Sequence, residues 1–464
     1  MSIKKPTMLS LFAGAGGLDI GLEQAGFISL AVNELETHAC ESLRQNKILS
    51  TLSSSEFEDW FSQNVSSQRC YNSRTYTDFF QATKAQLRAG VGRHAYLAHA
   101  NIVEGDVRNI SADSLLKAAG VNRGALTLVA GGPPCQPFSR AGKRQTVETD
   151  DGRLFLEFVR IVDATRPRWF LFENVKGLAQ SKTEVAYSRC KTCGQESILP
   201  FDGRNKFLEN EKQNLSCTGC QNTSTNEYTK EERGGSLKII LNEFNRIGYK
   251  CYSTILNSAD FGVPQSRERL FIVGSRDGED FQWPTATHHE HGCTHRDLFG
   301  ESKKPWLTLK DVLWTEGHPS YGRLDYGQAV LWVKNVVRPH AEPVTWTLDR
   351  PSPTVGAHQG AKLALAPYGV PEEQLARQQW HTLGKRQGDL PPVFVEHQML
   401  SDEELLRLQT FPPDWYLHGT RMERAFQIGN AVPPLFAKAV GQAILKSSNL
   451  NQECIDDQRI SCLV

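Results

Sequence analysis

The chain has 464 residues, with 52 basic against 52 acidic side chains, 39% hydrophobic and 22% charged residues. That is globular composition, long enough for two or three domains. It excludes wholesale disorder, and no run of 18 apolar residues offers a membrane span. Zero net charge leaves no overall electrostatic footprint for a polyanion, so any nucleic-acid surface has to be local. The start, MSIKKPTMLSLFAGAGG, has two lysines and a short apolar stretch but no long hydrophobic core of a signal peptide. Eleven cysteines in a chain of this length do not read as a secreted disulfide framework, and the expected compartment is the reducing cytoplasm.

In chain order, Met8–Phe12 is a short apolar run, Ala13–Gly17 a glycine loop, and Leu18–Ala25 carries helical spacing stopped by Gly26. Phe27–Val32 is a second apolar run ending at Asn33-Glu34. Ala125–Ala130 precedes Gly131-Gly132, Trp169–Phe172 precedes Glu173-Asn174, and Leu270–Val273 precedes Gly274. Strands alternating with helical stretches predict an α/β fold with a doubly wound, mostly parallel sheet, whose ligands gather at the carboxyl ends of the strands. Two segments interrupt the rhythm: residues 47–100, polar and Ser/Gln-rich with a helical patch at Thr77–Ala89, and residues 180–235, weakly patterned. Residues 277–397 hold nine of the thirteen histidines among many Trp and Pro, and read as a second domain. Helical pattern returns after 398: Ser401–Glu404 has capping-box spacing, and Pro433-Pro434 opens a last helix through Leu445. The expected division is therefore an α/β body over 1–276 with two inserts, a second domain over 277–397, and a helical segment over 398–464.

The chemistry-bearing residues fall at the predicted strand ends. A strand, glycines and a helix N-terminus let backbone N–H groups approach an anionic group, although a tight turn alone would also explain the glycines. Glu34 lies 20 residues after Gly14, where an acid can accept hydrogen bonds from ribose hydroxyls. The spacing is not G-x-G-x-x-G, since Asp19 fills the third place, which favours a mononucleoside ligand over a dinucleotide. The stretch Gly131-Gly132-Pro133-Pro134-Cys135-Gln136-Pro137-Phe138-Ser139 is more specific. Three prolines remove backbone donors and fix φ, leaving a stiff loop that presents one thiol. Glu173 is a strand-end acid whose burial would raise its pKa and suit it to proton donation. In Gln265-Ser266-Arg267-Glu268-Arg269, alternation puts both arginines on one face, able to meet phosphate or a base carbonyl, or simply solvent.

Taken in order, LFAGAGGLDIGLEQAGF, EGDV, GGPPCQPFS, FENVKGL, DFGVPQSRERLFIVG, LQTFPPDW and IGNAVPP resemble the DNA cytosine-5 methyltransferases of bacterial restriction–modification systems. They span residue 9 to about 445. The resemblance implies a Rossmann-like methyltransferase fold with a target-recognition domain at 277–397 and S-adenosylmethionine as methyl donor. It also implies double-stranded DNA as substrate, with the target cytosine flipped out of the duplex. It makes Cys135 the nucleophile, Glu173 the group at N3 and the exocyclic amine, Arg269 the contact to the cytosine carbonyl, and Arg267 a group near phosphate and thiol. For the cofactor it places Phe12 and Leu35 by the adenine, Gly14 and Gly16 near the methionine end, Glu34 on the ribose and Asp106 on the adenine amino group. Leu154 and Asn430 would close the pocket. Leu35 stands where many relatives carry a bulky aromatic, so less stacking area is expected, and the 47–100 insert widens the spacing from Glu34 to Asp106. Sequence choice would rest on base-edge contacts in the major groove, with Arg323, Arg338, Arg350 and Arg386 as candidates in a region of balanced charge. A monomer without membrane attachment is expected.

Cys190/Cys193 and Cys217/Cys220 form two C-x-x-C pairs separated by 23 residues. Four thiolates at two knuckles suit a structural, tetrahedral zinc in a zinc-ribbon-like insert that the family fold does not require. His288, His289, His291, Cys293 and His295 crowd one short stretch without ligand-type spacing. Two other functions compete: methylation of tRNA, which one branch of the family performs, and a catalytically silent DNA-binding protein. Cys135, Glu173 and Arg269 together argue against the second.

Overall fold

The protein is described from a computed structural model covering residues 5–66, 96–134, 153–201, 217, 219–223, 225–290, 303–313, 329–333, 344–356, 361–365 and 397–448. The nucleophile candidate Cys135 lies outside these residues. So do Thr77–Ala89, Arg323, Arg338, Arg386, His291, Cys293 and His295.

The amino-terminal half builds one unit after another. β1 (Thr7–Leu11) leads through the glycine loop into α1 (Gly17–Ala25), then β2 (Ile28–Glu34), α2 (Thr37–Leu49) and α3 (Ser54–Phe61). β3 (Asn101–Glu104), α4 (Ala112–Ala119), β4 (Leu128–Gly131), α5 (Leu154–Thr165), β5 (Trp169–Val175) and α6 (Lys176–Gln180) follow. The second insert forms β6 (Lys182–Cys190), β7 (Glu196–Ile198) and β8 (Thr225–Arg233), after which α7 (Gly235–Arg246), β9 (Lys250–Asn257) and β10 (Glu268–Ser275) complete the body. α1 begins at a left-handed Gly16 and ends at Gly26, whose φ of 120° a side chain would resist.

The main sheet has seven strands in the order β3-β2-β1-β4-β5-β10-β9. β3 to β5 are parallel, and β10 runs antiparallel between β5 and β9. The order reverses at β1, flanked by β2 and β4, which opens the crevice at the carboxyl edge where such sheets take ligands. Alternation decides the layers. Leu9, Leu11, Val129, Phe170, Phe172 and Ile272 face α4, α5 and α7, while Met8, Leu128, Ala130, Leu171, Phe271 and Val273 face α1 and the carboxyl-terminal helix.

β11 (His288–His289), β12 (Lys304–Pro305), α8 (Leu309–Leu313), β13 (Ala329–Val333), β14 (Val344–Thr347), β15 (Ala361–Leu365) and β16 (His397–Met399) follow. β14-β13-β15-β16 form a separate antiparallel sheet. α9 (Asp402–Leu408), α10 (Arg421–Asn430) and α11 (Pro434–Ser447) close the chain's fold. The predicted capping box is present: Ser401 and Glu404 exchange hydrogen bonds with each other's backbone. α11 lies on α1 so closely that a Cβ on Gly21 would stand 2.3 Å from the Pro434 carbonyl oxygen. The last helix thus seals the first.

The described parts of the weakly patterned stretch 180–235 form paired strands. Lys182–Cys190 pairs along its whole length with Thr225–Arg233, and Val185, Tyr187 and Phe201 pack into the core beside α5 and α7. Among the described residues no helix is long and apolar enough to cross a membrane.

Candidate active site at the carboxyl edge of the sheet

The glycine loop after β1 is held by the acid that ends β2. Glu34 Oε2 accepts the Gly14 amide at 2.7 Å, and Oε1 accepts the amides of Leu35 and Glu36 at 2.9 and 2.8 Å. One carboxylate therefore fixes both the loop and the turn into α2. Phe12 and Gly14 both have positive φ, 55° and 56°. A Cβ built on Gly14 would meet nothing within 4 Å, whereas one on Gly16 would strike Leu43 and Trp415. The loop is open above Gly14 and packed at Gly16. Leu35 projects with 60% of its surface exposed. Trp415, from the LQTFPPDW motif, donates its indole N–H to the Ala15 carbonyl at 3.0 Å, so the carboxyl-terminal segment folds back onto the loop.

Asp106 follows β3 in the same row of strand ends, capping the short turn Val107–Asn109. The Arg108 guanidinium grips its carboxylate and holds it below the usual range. Leu154 starts α5 and packs partly buried against the core. Asn430 ends α10 and is exposed.

On the other side of the switch point, β4 runs into Gly132-Pro133-Pro134, directly against Glu173. A Cβ on Gly132 would lie 2.7 Å from Glu173 Oε2, and Asn174 Nδ2 donates to the Pro133 carbonyl at 3.2 Å. The stretch that leads into Cys135 is thereby fastened to the strand end that carries the acid. Glu173 is buried, and burial pushes its carboxyl up, with Arg269 first and then Arg267 opposing the shift. Arg269 Nε stands 3.0 Å from Glu173 Oε1. The contact exists because β10 runs antiparallel to β5, which brings the amino-terminal end of β10 beside the carboxyl-terminal end of β5 (Arg269 opposite Val175).

Arg267 lies close enough to this pair for its charge to act on the Glu173 carboxyl. It is 2% exposed, and its Nη1 donates to the carbonyls of Val355 and Gly429 at 3.1 and 3.0 Å. Its guanidinium ties the start of β10 to the segment before β15 and to the end of α10, one residue before Asn430. Gln265 does the same work, accepting from Val355 N at 2.9 Å and donating to Gln409 Oε1 at 3.0 Å. Gln265, Gln409 and Trp415 sit in motifs visible in the sequence, but their partners are up to hundreds of residues away and left no local signal. Arg350 stacks over Trp346 at 4.5 Å from the ring centroid.

Cys190, Cys193, Cys217 and Cys220 converge in the insert, with all four Sγ atoms within 4.8 Å of one another. A metal ion could sit among them. His288 and His289 do not join any such group among the described residues.

Comparison with known families assigns this arrangement. The description "C-5 cytosine-specific DNA methylase" matches residues 6–64, 94–193 and 226–446. The chain belongs to that family. It is a DNA cytosine-5 methyltransferase, and the unmatched stretches 65–93 and 194–225 fall in the two inserts. Type II methyltransferase M1.HphI of Haemophilus parahaemolyticus is 28% identical over 449 residues, covering 95% of this chain and 87% of that one. M.AquIA of Picosynechococcus is 31% identical over 309 residues, covering 66% of this chain and 88% of that one. M.Eco47II of Escherichia coli is 26% identical over 451 residues, with 95% and 78% covered. As a family member the methyltransferase acts on DNA, and its α/β body with a mostly parallel sheet suits that class.

Proposed function

We propose that this methyltransferase transfers a methyl group from S-adenosylmethionine to C5 of a cytosine flipped out of a specific duplex sequence, through a covalent bond between Cys135 and C6. The reading places the enzyme as a cytoplasmic monomer that protects host DNA in a restriction–modification system. The observation that carries it is the buried Glu173–Arg269 pair beside Asn174, which holds the Pro133 carbonyl two residues before Cys135 in the sequence.

The residues at β1 and β2 fit the donor. The loop is open above Gly14, Glu34, which holds the Gly14 amide, is the acid assigned to the ribose, Leu35 offers an exposed apolar surface for the adenine, and Asp106 lies along the same edge. When bound, S-adenosylmethionine supplies an electrophilic methyl group on a sulfonium.

Cytosine C5 is a poor nucleophile. Addition of the Cys135 thiolate to C6 breaks the 5,6 double bond and moves its electron pair toward C5 and the N3–C4 amidine, giving C5 enamine character. Glu173, its carboxyl raised by burial, delivers a proton to N3 and accepts from the exocyclic amine. Arg269 binds the ring carbonyl and keeps Glu173 oriented. Once C5 carries the methyl group, N3 returns its proton to Glu173, a water molecule takes the C5 proton, and the electron pair of that C–H bond re-forms the 5,6 double bond and expels Cys135 as thiolate. The cysteine cluster takes no part in this chemistry; zinc held by four protein thiolates has no open position for a substrate.

The test is a duplex carrying 5-fluorocytosine at the methylated position, found by bisulfite sequencing of DNA from expressing cells. Fluorine cannot leave as a cation, so a covalent protein–DNA complex accumulates with the wild type and is absent with Cys135→Ser. Wild-type protein that never becomes attached to such a duplex overturns the mechanism, and preferential labelling of tRNA in a parallel incubation overturns the substrate.

A further inference from the structure

Of the metal-ligating side chains described outside the active site, only the insert's four cysteines converge on a point. The Cys190–Cys220 and Cys193–Cys217 sulfur distances are 3.5 and 3.4 Å. Both are far beyond a disulfide bond of about 2.05 Å and close to the edge of about 3.8 Å in a tetrahedron with Zn–S bonds of about 2.3 Å.

The backbone repeats itself around the two pairs. The Cys190 amide donates to Gln195 O and its carbonyl accepts from Gly194, at 2.9 and 3.0 Å; Cys217 donates to Asn222 O and accepts from Gln221, at 2.9 and 2.8 Å. Gly194 and Gln221, each four residues after the first cysteine of its pair, both take left-handed φ, 76° and 59°. A glutamine there is strained unless the turn is held from outside. The Gly219 amide points at Cys217 Sγ from 3.4 Å, the kind of support a metal-bound thiolate takes from its surroundings. In each pair the first cysteine is buried and the second exposed. Two such knuckles facing each other match a single ion with four sulfur ligands.

The turn that these cysteines close has a second task. β7 pairs with β6 through only Tyr187–Ile198, Ser188–Ser197 and Arg189–Glu196, too little for an independent hairpin. Yet three residues past β7, Phe201 stacks on Phe155 at 5.9 Å and 28°, and its amide donates to Glu243 on α7 at 3.0 Å. Phe155 belongs to the first turn of α5, beside Leu154.

We propose that the cluster binds one zinc ion per chain as a closed structural site, and that the ion locks the β6–β7 turn so that Phe201 props the first turn of α5. The metal site stands independently of the methyl-transfer reading; the value of the prop to catalysis rests on it, since α5 begins where the Cys135 segment ends.

Metal analysis of purified full-length protein should give about one zinc per chain, in line with a structural site made of four cysteine thiolates. Cobalt exchange should give the charge-transfer and d–d bands of tetrahedral thiolate coordination. Cys193→Ser and Cys220→Ser, at the exposed positions, should each lower metal content and weaken those bands. Wild type without metal, with iron in place of zinc, or with metal unaffected by both substitutions overturns the site. For the prop, Phe201→Ala should retain zinc while amide exchange at residues 154–158 rises about tenfold and β5 stays protected. Unchanged exchange overturns the prop, and neither readout depends on cofactor or DNA, so failure of the methyl-transfer reading registers separately.

Discussion

Glu173 and Arg269 face each other across neighbouring antiparallel strands, Nε to Oε1 at 3.0 Å, with 11% and 13% of their side chains exposed. A carboxyl in that position is subject to two opposed effects. Burial raises its pKa and the guanidinium lowers it, with burial the larger. Glu173→Gln keeps the shape but removes the proton, and methyl transfer is expected to fall by about 10²–10³-fold while cofactor affinity, measured by calorimetry, changes little. Arg269→Ala removes the group that favours the carboxylate. Its rate falls, but the alkaline limb of kcat/KM against pH moves upward, because protonated Glu173 then persists to higher pH. A limb that stays put or moves down contradicts proton donation by Glu173.

Glu34 holds three backbone amides as well as the proposed ribose contact. Glu34→Gln replaces one acceptor oxygen by a donor facing an amide, so loop and cofactor are both affected. Binding of S-adenosylmethionine is expected to weaken by about tenfold or more, as loss of a charge-assisted hydrogen bond worth roughly 1.5–3 kcal/mol implies. The measurement is a titration without DNA; affinity within twofold of wild type would place the ribose elsewhere.

The contact between α1 and α11 leaves no room for a methyl group. Gly21→Ala places a carbon 2.3 Å from Pro434 O and 2.5 Å from Ala437 Cβ. Parting the helices is expected to cost about 1–3 kcal/mol. Gly356→Ala, where a Cβ meets nothing within 4 Å, serves as control at under about 0.5 kcal/mol. Urea unfolding of the three proteins decides the matter.

Asp19 is fully buried on α1, and its oxygens make no hydrogen bond of normal geometry. Burial, opposed by the Ser10 hydroxyl, pushes its carboxyl up to about 7. The folded state therefore keeps a proton that the unfolded chain loses near pH 4, and stability drains away as pH rises from about 4 to about 7. Asp19→Asn removes that dependence. The variant should gain on wild type across this window, by on the order of 2–4 kcal/mol at pH 8, and gain nothing at pH 4. Equal differences at both pH values would mean that Asp19 is ionised in the fold.

Much of this architecture was legible in the sequence because it is written locally. Each parallel strand reads as an apolar run with a turn signal behind it, and the residues after those runs, Gly14, Glu34 and Glu173, lie at one edge of the sheet, where Arg269 arrives from the start of antiparallel β10. β9 and the antiparallel sense of β10 were not legible, since strand direction is set by pairing partners rather than by periodicity. The strands of the insert were not legible because β8 is a polar strand whose exposed residues carry no apolar alternation. Arg267 reads in QSRER as able to meet phosphate, a base carbonyl or solvent, and only tertiary contact shows that it also donates to the carbonyls of Val355 and Gly429.

The seam between α1 and α11 also sets an order of events during synthesis. The glycines of α1 emerge more than 400 residues before the carbonyls shaped to receive them, so a growing polypeptide carries that bare groove through most of translation, and closing so long a loop delays its burial. Stalled or nicked products would remain sticky at this face and be open to chaperones. By the same logic a fragment lacking 421–448 would regain its missing wall from that peptide added in trans.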